Sequence, residues 1–229
     1  MIKTYLIVAL VSYLLGSIPF GYILVKVFLK QDIRATGSGN IGATNVARSG
    51  NKRLAISTLL LDALKGMLAA AVTIMIYRLE FGRTLVLDCW LCHRLPFLMQ
   101  VSTLFAVIGH MFPAWLSFRG GKGVATALGG FLLLDPISLV LTAVAFFVVV
   151  IGTRYVSLGS MIAALLYPLV LLTFSGGYPP WIRVWPAALT CLLIILKHHE
   201  NIRRLIAGTE SKFGGKKSVP PPDAMEKQA

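Results

Sequence analysis

Phe118-Arg119-Gly120-Gly121-Lys122-Gly123-Val124-Ala125-Thr126 is a glycine-rich basic loop set between two apolar runs, 97–117 and 123–134. Hydrocarbon tolerates neither an exposed charge nor an unpaired amide, so a loop of this kind between membrane-type segments calls for a polar occupant. Phosphate fits. Glycines let successive N–H groups approach an anion, Lys122 adds a point charge, and a helix starting at Val124 favours negative charge at its N-terminus. The plainer reading is a tight cytoplasmic turn whose cations only fix topology.

Working outward from this loop, the chain has 229 residues, 56% of them hydrophobic and 14% charged. Its apolar sequence falls into runs long enough to cross a bilayer, which predicts an all-α integral membrane protein. Spans are expected near 4–29, 54–77, 97–117, 123–134, 136–152, 155–174 and 184–199, giving seven transmembrane helices. The run 123–134 is short and 136–152 marginal, so a re-entrant helix plus one span is the alternative for that pair. With the N-terminus outside, the inside segments hold fifteen Lys and Arg, among them Arg48, Lys122, Arg154 and Arg204, against five outside. That bias predicts a cytoplasmic C-terminus and places the Lys122 loop on the cytoplasmic face.

The net charge of +13 invites a nucleic-acid reading, but the cations lie between and after the apolar runs, not along a soluble face, so no nucleic-acid partner is expected. The first run lacks a small-residue cleavage site and contains Pro19 and Gly21, so it reads as a retained span. Residues 1–213 form one polytopic domain, and 214–229, with Pro220-Pro221-Pro222, reads as a disordered cytoplasmic tail. Three cysteines make no disulfide framework.

The first inside segment, 37–48, matches G-x-G-x-x-G, with Asp62 placed where a ribose-binding acid would fall. The dinucleotide reading fails on context, because it needs a preceding strand and a parallel sheet, and membrane runs flank these glycines. What is left is a loop of small polar groups ending in Arg48, suited to a phosphorylated polyol. Asp62 and Lys65, three apart in the second run, share a helix face and read as a mutually neutralised pair turned into the bundle. Cys89-Trp90-Leu91-Cys92-His93 fits the haem-attachment pattern C-x-x-C-H, but no second axial ligand accompanies it, so no haem or other cofactor is expected. His110, beside Pro113, reads as a packed, hydrogen-bonded group. The stretch 198–213 has an apolar face of Ile202, Leu205 and Ile206 opposed to His198, Asn201 and Arg204, as an amphipathic helix at an anionic lipid surface would. Three inside segments rich in glycine, asparagine and basic residues instead suggest one polar site assembled at the membrane surface.

Three of these segments, SGNIGATNVAR (38–48), GHMFPAWLSFRGGKGVAT (109–126) and HHENIRRLIAGTESK (198–212), together with GSIPFG (16–21) and RYVSLGS (154–160), carry a family likeness. The chain resembles the bacterial acyl-phosphate:glycerol-3-phosphate acyltransferase family from near its N-terminus to Phe213. The resemblance implies a seven-span, multi-pass enzyme of the bacterial inner membrane with its active site facing the cytoplasm. Its substrates would be acyl-phosphate and glycerol 3-phosphate, its products 1-acylglycerol 3-phosphate and inorganic phosphate, with neither metal nor cofactor and with membrane lipid around it. Carried over residue by residue, it implies Lys122, His198 and Asn201 as catalytic. Ser38, Asn45, Arg48, Gly121 and Gly123 would bind substrate, with Ser157 and Ser160 as further candidates for phosphate contacts. The hydroxyl proton would go to His198 or to the substrate's own phosphate. Acyl-CoA-type glycerolipid acyltransferases use H-x-x-x-x-D, and neither His93, His110, His198 nor His199 has an aspartate five residues on. The polar segment 80–96 is longer than the resemblance accounts for.

A small anion transporter is the rival from another class, since broken helices with glycines and cations suit it too. No inverted repeat supports it, and the three clusters map to one face instead of the midplane.

Overall fold

The computed structural model describes residues 2–82, 91–174 and 180–214, and these fold as a bundle of α-helices. Cys89, the side chains of Cys92 and His93, and the tail after Gly214 lie outside the described residues. The first apolar run is two helices, α1 (Ile2–Gly16) and α2 (Phe20–Leu29), broken at Ser17-Ile18-Pro19 because proline has no N–H to continue the ladder. A short α3 (Ala43–Arg48) follows in the first inside segment, then α4 (Lys52–Phe81) and α5 (Leu91–Met111). Beyond the glycine loop come α6 (Val124–Leu134), α7 (Pro136–Thr153), α8 (Val156–Phe174), α9 (Pro180–Lys197) and α10 (His199–Ile206).

Among the described residues, five stretches are long and apolar enough to cross a membrane: Ile2–Leu29, Lys52–Phe81, Arg94–Leu116, Pro136–Thr153 and Val156–Thr173. The remaining two expected spans coincide with shorter apolar helices, Val124–Leu134 and Val184–Lys197. The expected pair 123–134 and 136–152 is two separate helices. Asp135 ends α6 and caps α7, its carboxylate accepting the Ile137 and Ser138 N–H groups at 3.1 Å each, with Pro136 at the first helical position.

Small residues let the backbones close in where lipid offers no hydrophobic drive for helix association. A Cβ on Gly66 of α4 would lie 1.9 Å from the Thr126 carbonyl, and one on Gly129 of α6 would lie 1.8 Å from the Ala63 carbonyl, so α4 and α6 touch backbone to backbone. Val107, Met111, Ala127, Phe131, Tyr167, Ala187 and Ile194 form the largest apolar core, joining α5, α6, α8 and α9. A second core of Val25, Ile33, Ile41, Val46, Leu54 and Leu116 seats the first inside loop on the helices. On α7, Ile137, Val144, Phe147, Val148 and Ile151 are exposed, the lipid-facing side of a peripheral helix.

Candidate active site

The loop between α2 and α4 takes its shape from Asn45. Its side-chain oxygen accepts the Ser38 N–H at 2.8 Å, and its Nδ2 faces the carbonyls of Ile33, Thr36 and Asn40 at 3.2, 3.0 and 2.8 Å. Asn45, expected to bind substrate, thus has its buried amide committed to the loop's own backbone. It builds the surface from which Ser38 and Arg48 rise.

The glycine loop turns back on α5. Ser117 and Phe118 sit at φ 52° and 61°, and the N–H groups of Gly120 and Gly121 donate to the Met111 and His110 carbonyls at 3.1 and 3.0 Å. The N–H of Gly121, a residue expected to bind substrate, is thus spent inside the loop. Gly123 begins that turn at φ 81°, a conformation that a side chain would strain.

The third segment bonds to the glycine loop. The Lys122 ammonium donates to the Asn201 side-chain oxygen, and Asn201 Nδ2 donates to Glu210 Oε1 at 2.6 Å. Ser157 Oγ donates to the same Glu210 oxygen at 2.7 Å, and Arg204 Nε donates to Oε2 at 2.7 Å. A reversal at Gly208 (φ 69°), with the Glu210 N–H on the Arg204 carbonyl at 3.1 Å, brings the glutamate back over α10. One bonded line therefore runs from the glycine loop through α10 to α8. Ser157 is the α8 end of that line, and Ser160 stands apart from it, its Oγ donating to the Val156 carbonyl of its own helix at 2.9 Å. Glu210 and Arg204 were not among the expected site residues.

Burial pushes the Lys122 amine down to about 8, and the Arg204 and Arg48 guanidiniums push the same way. Three cations from three different segments thus act on one another, and an anion is the partner that relieves such crowding. Burial, helped by Lys122, pushes His198 down to about 4. Its Nδ1 lies 2.8 Å from the Ile194 carbonyl, so that nitrogen carries the proton and Nε2 presents a lone pair. Burial opposes ionisation of Glu210, but the bonds from Ser157, Arg204 and Asn201 outweigh it and hold the carboxyl below its ordinary range.

A family model described as glycerol-3-phosphate acyltransferase matches residues 6–208. The chain is 44% identical over 205 residues, 90% of each chain, to a glycerol-3-phosphate acyltransferase of Sinorhizobium medicae (strain WSM419). It is 43% identical over 205 residues to one of Brucella suis biovar 1 (strain 1330), covering 90% of this chain and 91% of that one. Its fold is similar to the crystal structure of PlsY (YgiH), an integral membrane glycerol 3-phosphate acyltransferase, in the glycerol 3-phosphate form. There the TM-score is 0.75 at 38% identity, over 92% of this chain and 96% of that one. The lysophosphatidic acid form of the same protein gives a TM-score of 0.72.

Proposed function

The chain belongs to the glycerol-3-phosphate acyltransferase family, and from that premise we propose how its residues divide the work of the reaction. The enzyme is an integral inner-membrane acyltransferase. It moves a fatty acyl group from acyl-phosphate to the 1-hydroxyl of sn-glycerol 3-phosphate, giving 1-acylglycerol 3-phosphate and inorganic phosphate. The new ester C–O bond forms as the anhydride C–O bond breaks, and phosphate leaves with the electron pair.

Arg48, on the loop that Asn45 shapes, holds the phosphate of glycerol 3-phosphate through its planar fork, and Ser38 adds a polar contact. Lys122, oriented by Asn201, stands at the reacting centre and stabilises the tetrahedral oxyanion and the departing phosphate, with Gly123 and the α6 N-terminus behind it. The observation that carries this reading is the bond from Lys122 to Asn201, which ties the glycine loop to α10, with the Arg204 and Arg48 guanidiniums near enough to act on the same amine. His198 is too weak a base at about 4 to keep a proton near neutrality, so its Nε2 orients the attacking hydroxyl and the proton ends on phosphate. Ser157 and Ser160 support from α8, Ser157 by holding Glu210.

Residues 1–213 act as one catalytic unit, a reading the family match over 6–208 supports. Seven crossings with an outside N-terminus, a cytoplasmic C-terminus and a cytoplasmic active site divide Lys and Arg fifteen inside to five outside, and that bias supports the arrangement. Phosphate release by purified protein given palmitoyl-phosphate tests the reaction. It should depend on glycerol 3-phosphate, and release that ignores glycerol 3-phosphate would refute the acceptor.

A further inference from the structure

Beneath the two substrate loops lies a buried cluster that the reaction itself does not use. Asp62, Lys65 and His110 are exposed by only 2%, 2% and 4%. Lys65 Nζ lies 2.8 Å from Asp62 Oδ1 and also donates at 2.8 Å to the Ile18 carbonyl, in the break between α1 and α2. Asp62 Oδ1 faces His110 Nδ1 at 3.5 Å. Neutralising Lys65 needs only Asp62, so two features are left over: the hold on a broken backbone and the aspartate's approach to a histidine.

Each leads to one half of the site. Below the break, α2 presses on the first loop so closely that a Cβ on Gly21 would lie 1.9 Å from the Ile41 carbonyl, and Ile41 is packed in the core beneath Ser38 and Arg48. On the other side the His110 carbonyl accepts the Gly121 N–H at 3.0 Å, and a Cβ on Gly121 would lie 2.0 Å from His110 Nε2. The residue before Lys122 therefore rests directly on the imidazole.

We infer that Asp62, Lys65 and His110 are positioning residues that set the separation and register of the Arg48 loop and the Lys122 loop. The inference rests on the proposed reading, in which those loops hold the two ends of one reacting pair. Charged, short-range contacts suit this task, because a cluster satisfied in only one arrangement fixes that arrangement more sharply than apolar packing does. A displacement on the scale of 1 Å at the reacting centre is enough to cost about 10²-fold in rate.

The test separates positioning from plain neutralisation. Asp62→Asn/Lys65→Met removes both charges together, so no unpaired charge is left, while the tie to Ile18 and the aspartate facing His110 are lost. His110→Asn keeps a side-chain nitrogen near the Nδ1 position but loses the ring under Gly121, and His110→Leu keeps bulk without the nitrogen. Melting temperature, monodispersity, kcat and KM for glycerol 3-phosphate are measured with palmitoyl-phosphate as donor. Expected are folded Asp62→Asn/Lys65→Met and His110→Leu proteins with kcat lowered about 10²-fold, and His110→Asn with a kcat between His110→Leu and wild type. Equal activity of His110→Leu and His110→Asn, full activity of the double variant, or loss of folding in all three would overturn the positioning role. A wild-type protein without glycerol 3-phosphate-dependent phosphate release would instead refute the functional reading beneath it.

Discussion

Arg48 and Lys122 carry the same charge and act on one another, yet on the proposed reading they should fail differently when replaced. A phosphate held by a planar fork loses its paired geometry in Arg48→Lys although the charge stays, so that variant should raise KM for glycerol 3-phosphate more than it lowers kcat. On the proposed reading, Lys122→Ala removes a charge placed where negative charge develops. It should lower kcat by roughly 10²–10³-fold, and near-normal turnover would reduce the glycine loop to a topological turn. Lys122 also predicts a pH limb. Its proton is lost as pH rises through about 8 in the free enzyme, so kcat/KM for glycerol 3-phosphate should fall above that value, while at neutral pH the amine stays charged. A Lys122→Arg profile flat across this range would agree, and an unshifted limb would assign it to another group. Lys122, His198 and Asn201 could be singled out in the sequence because motif and charge stand out among apolar runs, and the structure joins Lys122 to Asn201. Glu210 was hidden, since its role depends on a reversal at Gly208 that brings it back onto Asn201 and Arg204, and a lone acid in a basic tail gives no hint of that. Asn45 misled in the opposite sense, because nothing in its spacing reveals that the loop consumes its amide.

Among the helices, the joint between α8, α10 and the segment after Gly208 is held largely by one carboxylate. Ser157, Asn201 and Arg204 all donate to Glu210, so Glu210→Ala leaves three buried or half-buried donors without an acceptor, at about 1–3 kcal/mol for each one stranded. The variant should melt well below wild type and lose the tether on Asn201, and thermal unfolding in detergent would show it. The sign with pH is fixed by the lowered carboxyl. Its contribution is fully present above the ordinary value of 4.5 and is lost as pH falls through the folded value, so the stability gap between wild type and Glu210→Gln should close in acid. The existence of the helices was legible from apolar length alone, and Pro19 marked the break in the first run. The near-contact of α4 and α6 was not, because a glycine in a membrane run signals small size without naming the helix it will meet.

For the molecule as a whole, α6 poses a problem of length. Its 11 residues rise only about 17 Å, against a hydrocarbon core of about 30 Å, whereas the 18 residues of α7 rise about 27 Å. Both ends of this hairpin nevertheless belong to one site: Lys122 before α6 and Ser157 after α7 are joined through Asn201 and Glu210. A chain that returns by a near-full crossing must first have gone across, so on the proposed count of seven crossings α6 is the outward leg. It can do so only if the glycine loop begins below the membrane surface. The loop's N–H groups find the Met111 and His110 carbonyls there, as a sunken loop requires, since its backbone groups cannot be left in lipid. The expected outcome in sealed vesicles is that single cysteines near Gly37 and Gly123 are labelled from the cytoplasmic side and one at Asp135 from the opposite side, with a reporter after Phe213 cytoplasmic. The Gly123 position should react more slowly than the Gly37 position with a bulky charged reagent and at a similar rate with a small one, as a recessed site dictates. Labelling of Asp135 from the cytoplasm would make α6 re-entrant and change the count of crossings, and labels at 37 and 123 from opposite sides would dismantle the single site.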